Sequence, residues 1–239
     1  MPNATTSTTK RTTIPKVTKT LASCKKFVSF TIVVCFVAAC AAPARAAVID
    51  PELRVVIRTY ATAGVVSDLS PALAAAAAIL EDAGVAVIWV PCDVAFVQRD
   101  AHRCLAPLAA NELAIRYVRL PPHLAEQDAV TLGDSLIDTR LRAGSLATIY
   151  VNRVVTLARR CNVDMQTLLA HAVAHEIGHL LLGTSAHASS GLMRATWSQT
   201  ALRRAVAEDW RFTAPDALAI RESVRVRTAR RLAAGKLGE

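Results

Sequence analysis

Acidic residues are missing from the first 46 positions, which hold seven of the chain's 28 lysines and arginines and none of its 19 aspartates and glutamates. The formal net charge of +9 therefore misleads: residues 47–239 carry 21 basic against 19 acidic residues, a net of +2. Most of the basic excess belongs to the leader, so it gives no case for a nucleic-acid partner. A long apolar run is also lacking. Phe27 to Ala42 covers sixteen residues, fewer than the roughly 20 that a membrane-spanning helix needs. No internal repeat is visible, which leaves no support for a solenoid or an array.

A basic, Thr/Ser-rich leader, that apolar run and the small residues of Ala44-Arg45-Ala46 make residues 1–46 an export signal. A second processing route is open, because Val37-Ala38-Ala39-Cys40 resembles the lipobox of bacterial lipoproteins, whose cysteine becomes acylated. Either route takes the mature chain out of the cytoplasm, as a periplasmic or secreted protein or as a lipoprotein anchored at Cys40. Cys24, Cys35 and Cys40 fall in the leader, leaving Cys92, Cys104 and Cys161. In an oxidising compartment Cys92 and Cys104 are natural disulfide partners, and Cys161 reads as a buried free thiol. Residues 47–239 suffice for one domain with a substantial core, expected as a monomer, its last 25 or so residues a basic helical tail.

Along that domain, Arg54 to Ala61 is rich in β-branched residues and predicts a strand. Ser70-Pro71 opens an alanine-rich helix closed by Gly84, and Val85 to Val90 predicts a second strand ending at Pro91. Strand, helix and strand in so short a span suggest a parallel βαβ unit. Pro91 to Pro107 reads as the disulfide-held loop, and Leu113 to Leu120 alternates as a half-buried strand should. Glu126 to Ser145 carries no assignable pattern. Ala147 to Val151 predicts another strand, followed by a short helix to about Arg160 and a long one from Met165 to Leu182. A short helix near Gln199 to Ala207 follows, and Thr213-Ala214-Pro215-Asp216 reads as a capping box opening the last helix.

The chemistry concentrates between His171 and Met193, where four of the six histidines lie. The long helix contains H-E-x-x-H: His175, Glu176, Ile177, Gly178, His179. Positions i and i+4 on a helix stand about 40° and 6 Å apart, so His175 and His179 leave one face and can share a Zn²⁺. Glu176 sits beside them, able to reach a water on the metal as its base. A catalytic zinc usually has three protein ligands. His187 can supply the third, since Gly183 frees the chain to reverse and four residues span about 13 Å. Glu208 and Asp209, on the helix after the loop, are the alternatives. His171 reads either as a partly exposed histidine or as a hydrogen-bond partner to a ligand, and Arg194 as one half of a salt bridge.

H-E-I-G-H-L-L-L-G-x-x-x-H followed by Gly191-Leu192-Met193 resembles the metzincin zinc metallopeptidases, most of all their matrixin branch. The resemblance implies zinc ligation by His175, His179 and His187, a catalytic Glu176 and a Met-turn at Met193. It implies an α+β, zincin-like fold: a mixed, mostly parallel twisted sheet with an active-site helix and C-terminal helices. The sequence departs from the family pattern in that Gly183 follows His179 by four residues rather than three, and the third histidine comes two residues late. Tyr60, Tyr117 and Tyr150 all precede the helix, so the oxyanion-holding tyrosine of some relatives is missing. The expected function is that of an exported zinc metallopeptidase, in which Glu176 assists a zinc-bound water against a peptide or protein substrate. A zinc-binding but inactive cell-envelope binding protein of the same fold is the alternative.

Overall fold

The computed structural model describes residues 9–13, 53–62, 64, 68–93, 102–121, 131–204 and 207–236. The apolar run, Ala44-Arg45-Ala46 and Cys40 lie outside the described residues. So do the centre of the disulfide loop and the first quarter of the segment from Glu126, residues 126–130. Six strands form one sheet: β1 (Thr9–Thr13), β2 (Arg54–Ala61), β3 (Ala86–Pro91), β4 (Glu112–Val118), β5 (Gly133–Asp138) and β6 (Ala143–Tyr150), in the order β1-β5-β6-β4-β2-β3. The pairs β2–β3, β2–β4 and β4–β6 are parallel. β5 runs antiparallel to β6 on one side and to β1 on the other, with Ser135 opposite both Ala147 and Thr12. No described helix is long and apolar enough to cross a membrane.

Helix α1 (Ser70–Asp82) joins β2 to β3 as the parallel crossover and buries Ala72, Ala76 and Leu80. Those residues recur every four positions, so one stripe faces the core, and alanine lets the helix lie close. Tyr150 ends β6 and Val151 begins α2 (Val151–Cys161) with no loop between them. Asn162 closes α2 in the left-handed region, and the Asp164 carboxylate caps α3 (Met165–Leu182) by accepting from the Thr167 amide at 2.6 Å. After α4 (Gln199–Arg204) and a 3₁₀ turn, α5 (Ala214–Lys236) completes the described chain. Its capping box forms: the Thr213 hydroxyl lies 2.6 Å from Asp216 Oδ2 and accepts from the Asp216 amide at 3.3 Å.

Strand β5 falls within the stretch that carries no sequence pattern, and β6 begins four residues before its predicted start. Gly133-Asp134-Ser135 and Ala143-Gly144-Ser145 are rich in residues that strands usually avoid. Tertiary packing overrides that preference. A Cβ on Gly144 would lie 2.9 Å from the Leu180 Cα, so β6 starts where only glycine lets α3 press onto the sheet.

The α3 helix is buried all round: thirteen of its eighteen residues are buried, His175, Glu176 and His179 among them. The periodicity predicts a histidine face distinct from the core face, and it does exist, but the chain after Gly183 folds back over it. Arg227 on α5 is also buried. It donates to the carbonyls of Leu180 (3.1 Å) and Gly144 (2.8 Å), so it caps the C-terminal end of α3.

The opposite face of the sheet holds a small cluster of Val56, Val90, Cys92 and Cys104. Cys92 and Cys104 are disulfide-bonded, and Cys161 is free and buried. The Arg58 guanidinium pairs with the buried Glu112 carboxylate and donates to Ala106 O at 2.7 Å, pinning this loop to the strands. The bridge spans twelve positions, and closing such a loop restricts the unfolded chain by about 2–3 kcal/mol. Replacing both Cys92 and Cys104 by alanine is expected to lower the urea-unfolding free energy by about that amount, with the metal-binding capacity retained; an unchanged midpoint would contradict it.

Gly183 has φ +62°, and a Cβ there would lie 1.8 Å from the Arg142 carbonyl oxygen. The left-handed conformation alone costs a non-glycine residue roughly 1–2 kcal/mol, and the backbone of the β5–β6 turn has no room to yield. Gly183→Ala is expected to destabilise the metal-free protein by more than about 2 kcal/mol, read as a fall in thermal midpoint. Asparagine, which tolerates the φ, relieves only part of that loss.

Candidate metal centre

Helix geometry sets the first two groups. His175 and His179 are one turn apart on α3 and both fully buried, with Nε2 atoms 3.0 Å apart. Each ring is held from behind: His175 Nδ1 lies 2.8 Å from the Leu192 carbonyl and His179 Nδ1 2.8 Å from the Thr184 carbonyl. A carbonyl oxygen can only accept, so both Nδ1 atoms carry the proton. Burial drives the His175 imidazole well below its usual pKa, with His179 and His187 adding to it and the Leu192 contact opposing. Burial likewise brings His179 down to about 4. Both rings are therefore neutral at pH 7, and both Nε2 atoms are bare lone pairs. The 3.0 Å contact between them has the distance of a hydrogen bond and no proton to make one.

The third ring arrives through the loop. Gly183 turns the chain, and the bridge between Ala188 and Arg194, with Ala188 N donating to Met193 O at 2.9 Å, closes the segment. This brings His187 beside the pair, its ring centroid 4.9 Å from His179 and 5.4 Å from His175. One nitrogen from each of the three lies within 4.8 Å of the others. Among the described residues, His187 Nε2 is buried without a hydrogen-bond partner. Two neutral imidazoles with bare Nε2 atoms, and a third ring with a buried Nε2 beside them, are a donor set that fits a zinc-like ion. The extra residues between His179 and His187 are absorbed by Thr184, Ser185 and Ala186, which lie at the surface or half-buried.

The alternative third ligands lie elsewhere. Asp209 pairs with Arg194 at 3.1 Å, and Glu208 is exposed. Arg194 thus forms the expected salt bridge, and it also donates from Nε to Gly191 O at 3.0 Å. Met193 is buried beneath α3, so close that a Cβ on Gly178 would stand 2.6 Å from its sulfur and 2.7 Å from the Phe212 ring. It touches the helix at Gly178, between His175 and His179, and offers no donor to the cluster.

Glu176 is fully buried on the side of α3 that meets β5. Its Oε2 accepts from the Ser135 hydroxyl, while Oε1 is buried with no partner among the described residues. Burial pushes its carboxyl well above the ordinary carboxylate range; the Ser135 hydroxyl pulls it back and Asp134 adds to the rise. His171 is half-buried and neutral, brought down to about 4 by burial, and it stacks on Trp210 at 4.3 Å. Trp197 stands edge-on to both Trp210 (5.2 Å) and His175 (5.6 Å). Sequence reasoning misses this aromatic wall and Ser135 alike. Isolated tryptophans in a loop, and a serine in a patternless stretch, give no signal until the chain is folded.

No family model matches the sequence, and comparison with curated protein sequences gives no match. Among solved structures the chain is similar to an archaemetzincin from Methanopyrus kandleri, with a TM-score of 0.47 and 14% identity over 74% of this chain and 99% of that one. It is similar also to a zinc-dependent peptidase from Methanocorpusculum labreanum, with a TM-score of 0.42 and 16% identity over 69% of this chain and 99% of that one.

Proposed function

We propose that this chain is an exported zinc-dependent metallopeptidase, of metzincin-like architecture, acting on peptide or protein substrates. The observation that carries the reading is the trio His175, His179 and His187 with a buried carboxylate, Glu176, on the position next to a ligand. Binding alone needs no such carboxylate. A buried acid without a counter-charge costs stability, and sites of catalysis are where such costs are found.

The three histidines would hold the ion, each neutral ring already oriented, two of them by backbone carbonyls. When bound, zinc supplies Lewis acidity that polarises a substrate carbonyl and acidifies water near neutral pH. Glu176 then acts as the proton carrier: its Oε1 takes a proton from the attacking water and returns it to the leaving amine. Trp197 shields His175 from bulk water and fixes its ring plane. Met193 supports the helix from below. The disulfide between Cys92 and Cys104 is consistent with an oxidising compartment, and residues 1–46 would supply the route, ending either in cleavage near Ala46 or in acylation at Cys40; either would remove the edge strand β1 and leave a five-stranded sheet in the mature chain.

Purified protein is expected to bind a single zinc per chain, and His187→Ala to lose it while Glu208→Ala and Asp209→Ala keep it. Elemental analysis after dialysis against a weak chelator reads this directly. Glu176→Gln is expected to retain zinc while cleaving a peptide library about 10²–10⁴-fold more slowly. Zinc bound equally by wild type and Glu176→Gln, with both equally inert, would instead favour the inactive binding protein.

A further inference from the structure

Ser135 is fully buried at the centre of β5, opposite Ala147 on β6. Its hydroxyl faces two acceptors, both belonging to Glu176: the main-chain carbonyl at 3.1 Å and the carboxylate Oε2. The carbonyl alone would satisfy a buried serine. The second contact is different in kind, since it ties the end of an α3 side chain to a side chain of strand β5. It also makes the carboxylate asymmetric, with Oε2 tethered and Oε1 buried and unpartnered among the described residues. Helix geometry fixes where Glu176 begins but not where its three side-chain torsions send its oxygens. Among the described residues, no other hydrogen bond reaches that carboxylate.

We propose that Ser135 is a positioning residue for Glu176: it holds Oε2, which leaves Oε1 as the oxygen that exchanges the proton. The assignment rests on the peptidase reading for its consequence and on the hydroxyl–carboxylate contact for its cause. Alanine at 135 removes the tether and frees the carboxylate to rotate. Threonine keeps the hydroxyl at the cost of a methyl group in a closed space.

The test uses the full zinc-loaded protein and a fluorogenic peptide chosen from the library. Ser135→Ala is expected to lower kcat about 10–100-fold, with KM within about twofold and the zinc content unchanged. Ser135→Thr recovers most of kcat. In a Glu176→Ala background, Ser135→Ala adds no further loss, because its effect passes through the carboxylate. A second readout needs no activity. With glutamate labelled by ¹³C at its carboxyl carbon, the resonance that disappears in Glu176→Gln shifts in Ser135→Ala and returns towards wild type in Ser135→Thr. An unchanged kcat, an equal fall in the Glu176→Ala background, or an unmoved resonance would each overturn the assignment. Wild-type protein that cleaves nothing would overturn the peptidase reading instead, and the tether would then stand or fall on the carbon resonance.

Discussion

Two bare nitrogens held face to face are the constraint on which the rest of this structure depends. The Leu192 and Thr184 carbonyls accept hydrogen bonds from the Nδ1–H groups of His175 and His179, burial keeps the rings neutral, and the Nε2 atoms meet at 3.0 Å. Two lone pairs at that distance repel, and rotating either ring would relieve them at the cost of a buried hydrogen bond, about 1 kcal/mol net and more where a polar group is stranded. The chain blocks that escape. Leu192 is fixed by its own amide donating to Arg211 O at 2.8 Å, and Thr184 follows directly on the Gly183 turn. A site that resists relaxing the repulsion is one built for an electron-poor occupant.

The cost is carried by packing. The α3 helix lies in the middle of the domain, and Leu168, Leu169, Val173, Ile177 and Leu180 are each within about a percent of full burial. Burying each contributes about 1.5–3 kcal/mol, ample against one unfavourable imidazole contact. Close approach makes this possible, and it rests on particular glycines. Gly144 lets β6 touch α3 from the sheet side, Gly178 admits Met193 and Phe212 from below, and Gly183 admits the Arg142 carbonyl at the end. The same contacts that stabilise the fold therefore set the height and tilt of the histidine pair.

Much of this was legible in the residues. The i, i+4 spacing of His175 and His179, Gly183 as a stop, the βαβ start and the Cys92–Cys104 pairing all follow from local rules that hold whatever surrounds them. Ser135 and the Trp197–Trp210–His171 wall do not. Gly133-Asp134-Ser135 carries no assignable pattern because its strand character comes wholly from pairing with β6 and covering α3, which no window of sequence contains. The full burial of His175 and His179 is illegible for a related reason. Periodicity reports that a helix has two faces; whether a later segment returns to cover one of them is a question of topology.

The charge arrangement then separates binding from reaction. Three histidines are neutral ligands, so they would leave the charge of a divalent ion undiminished, and Lewis acidity grows with that charge. A carboxylate among the ligands would blunt it. Asp209, near enough in sequence to compete, is instead committed to Arg194, whose guanidinium lies 5.9 Å over the Trp210 ring. Glu176, the buried acid beside His175 in sequence, is bound to the sheet through Ser135, and no described hydrogen bond ties it to the histidines. On the proposed function, the groups that would hold the metal come from α3 and the loop after it, while the group that would move protons is tethered to β5. Because those supports are different elements, a change in the loop can alter affinity for the ion without disturbing the base, and a change in the strand can do the reverse.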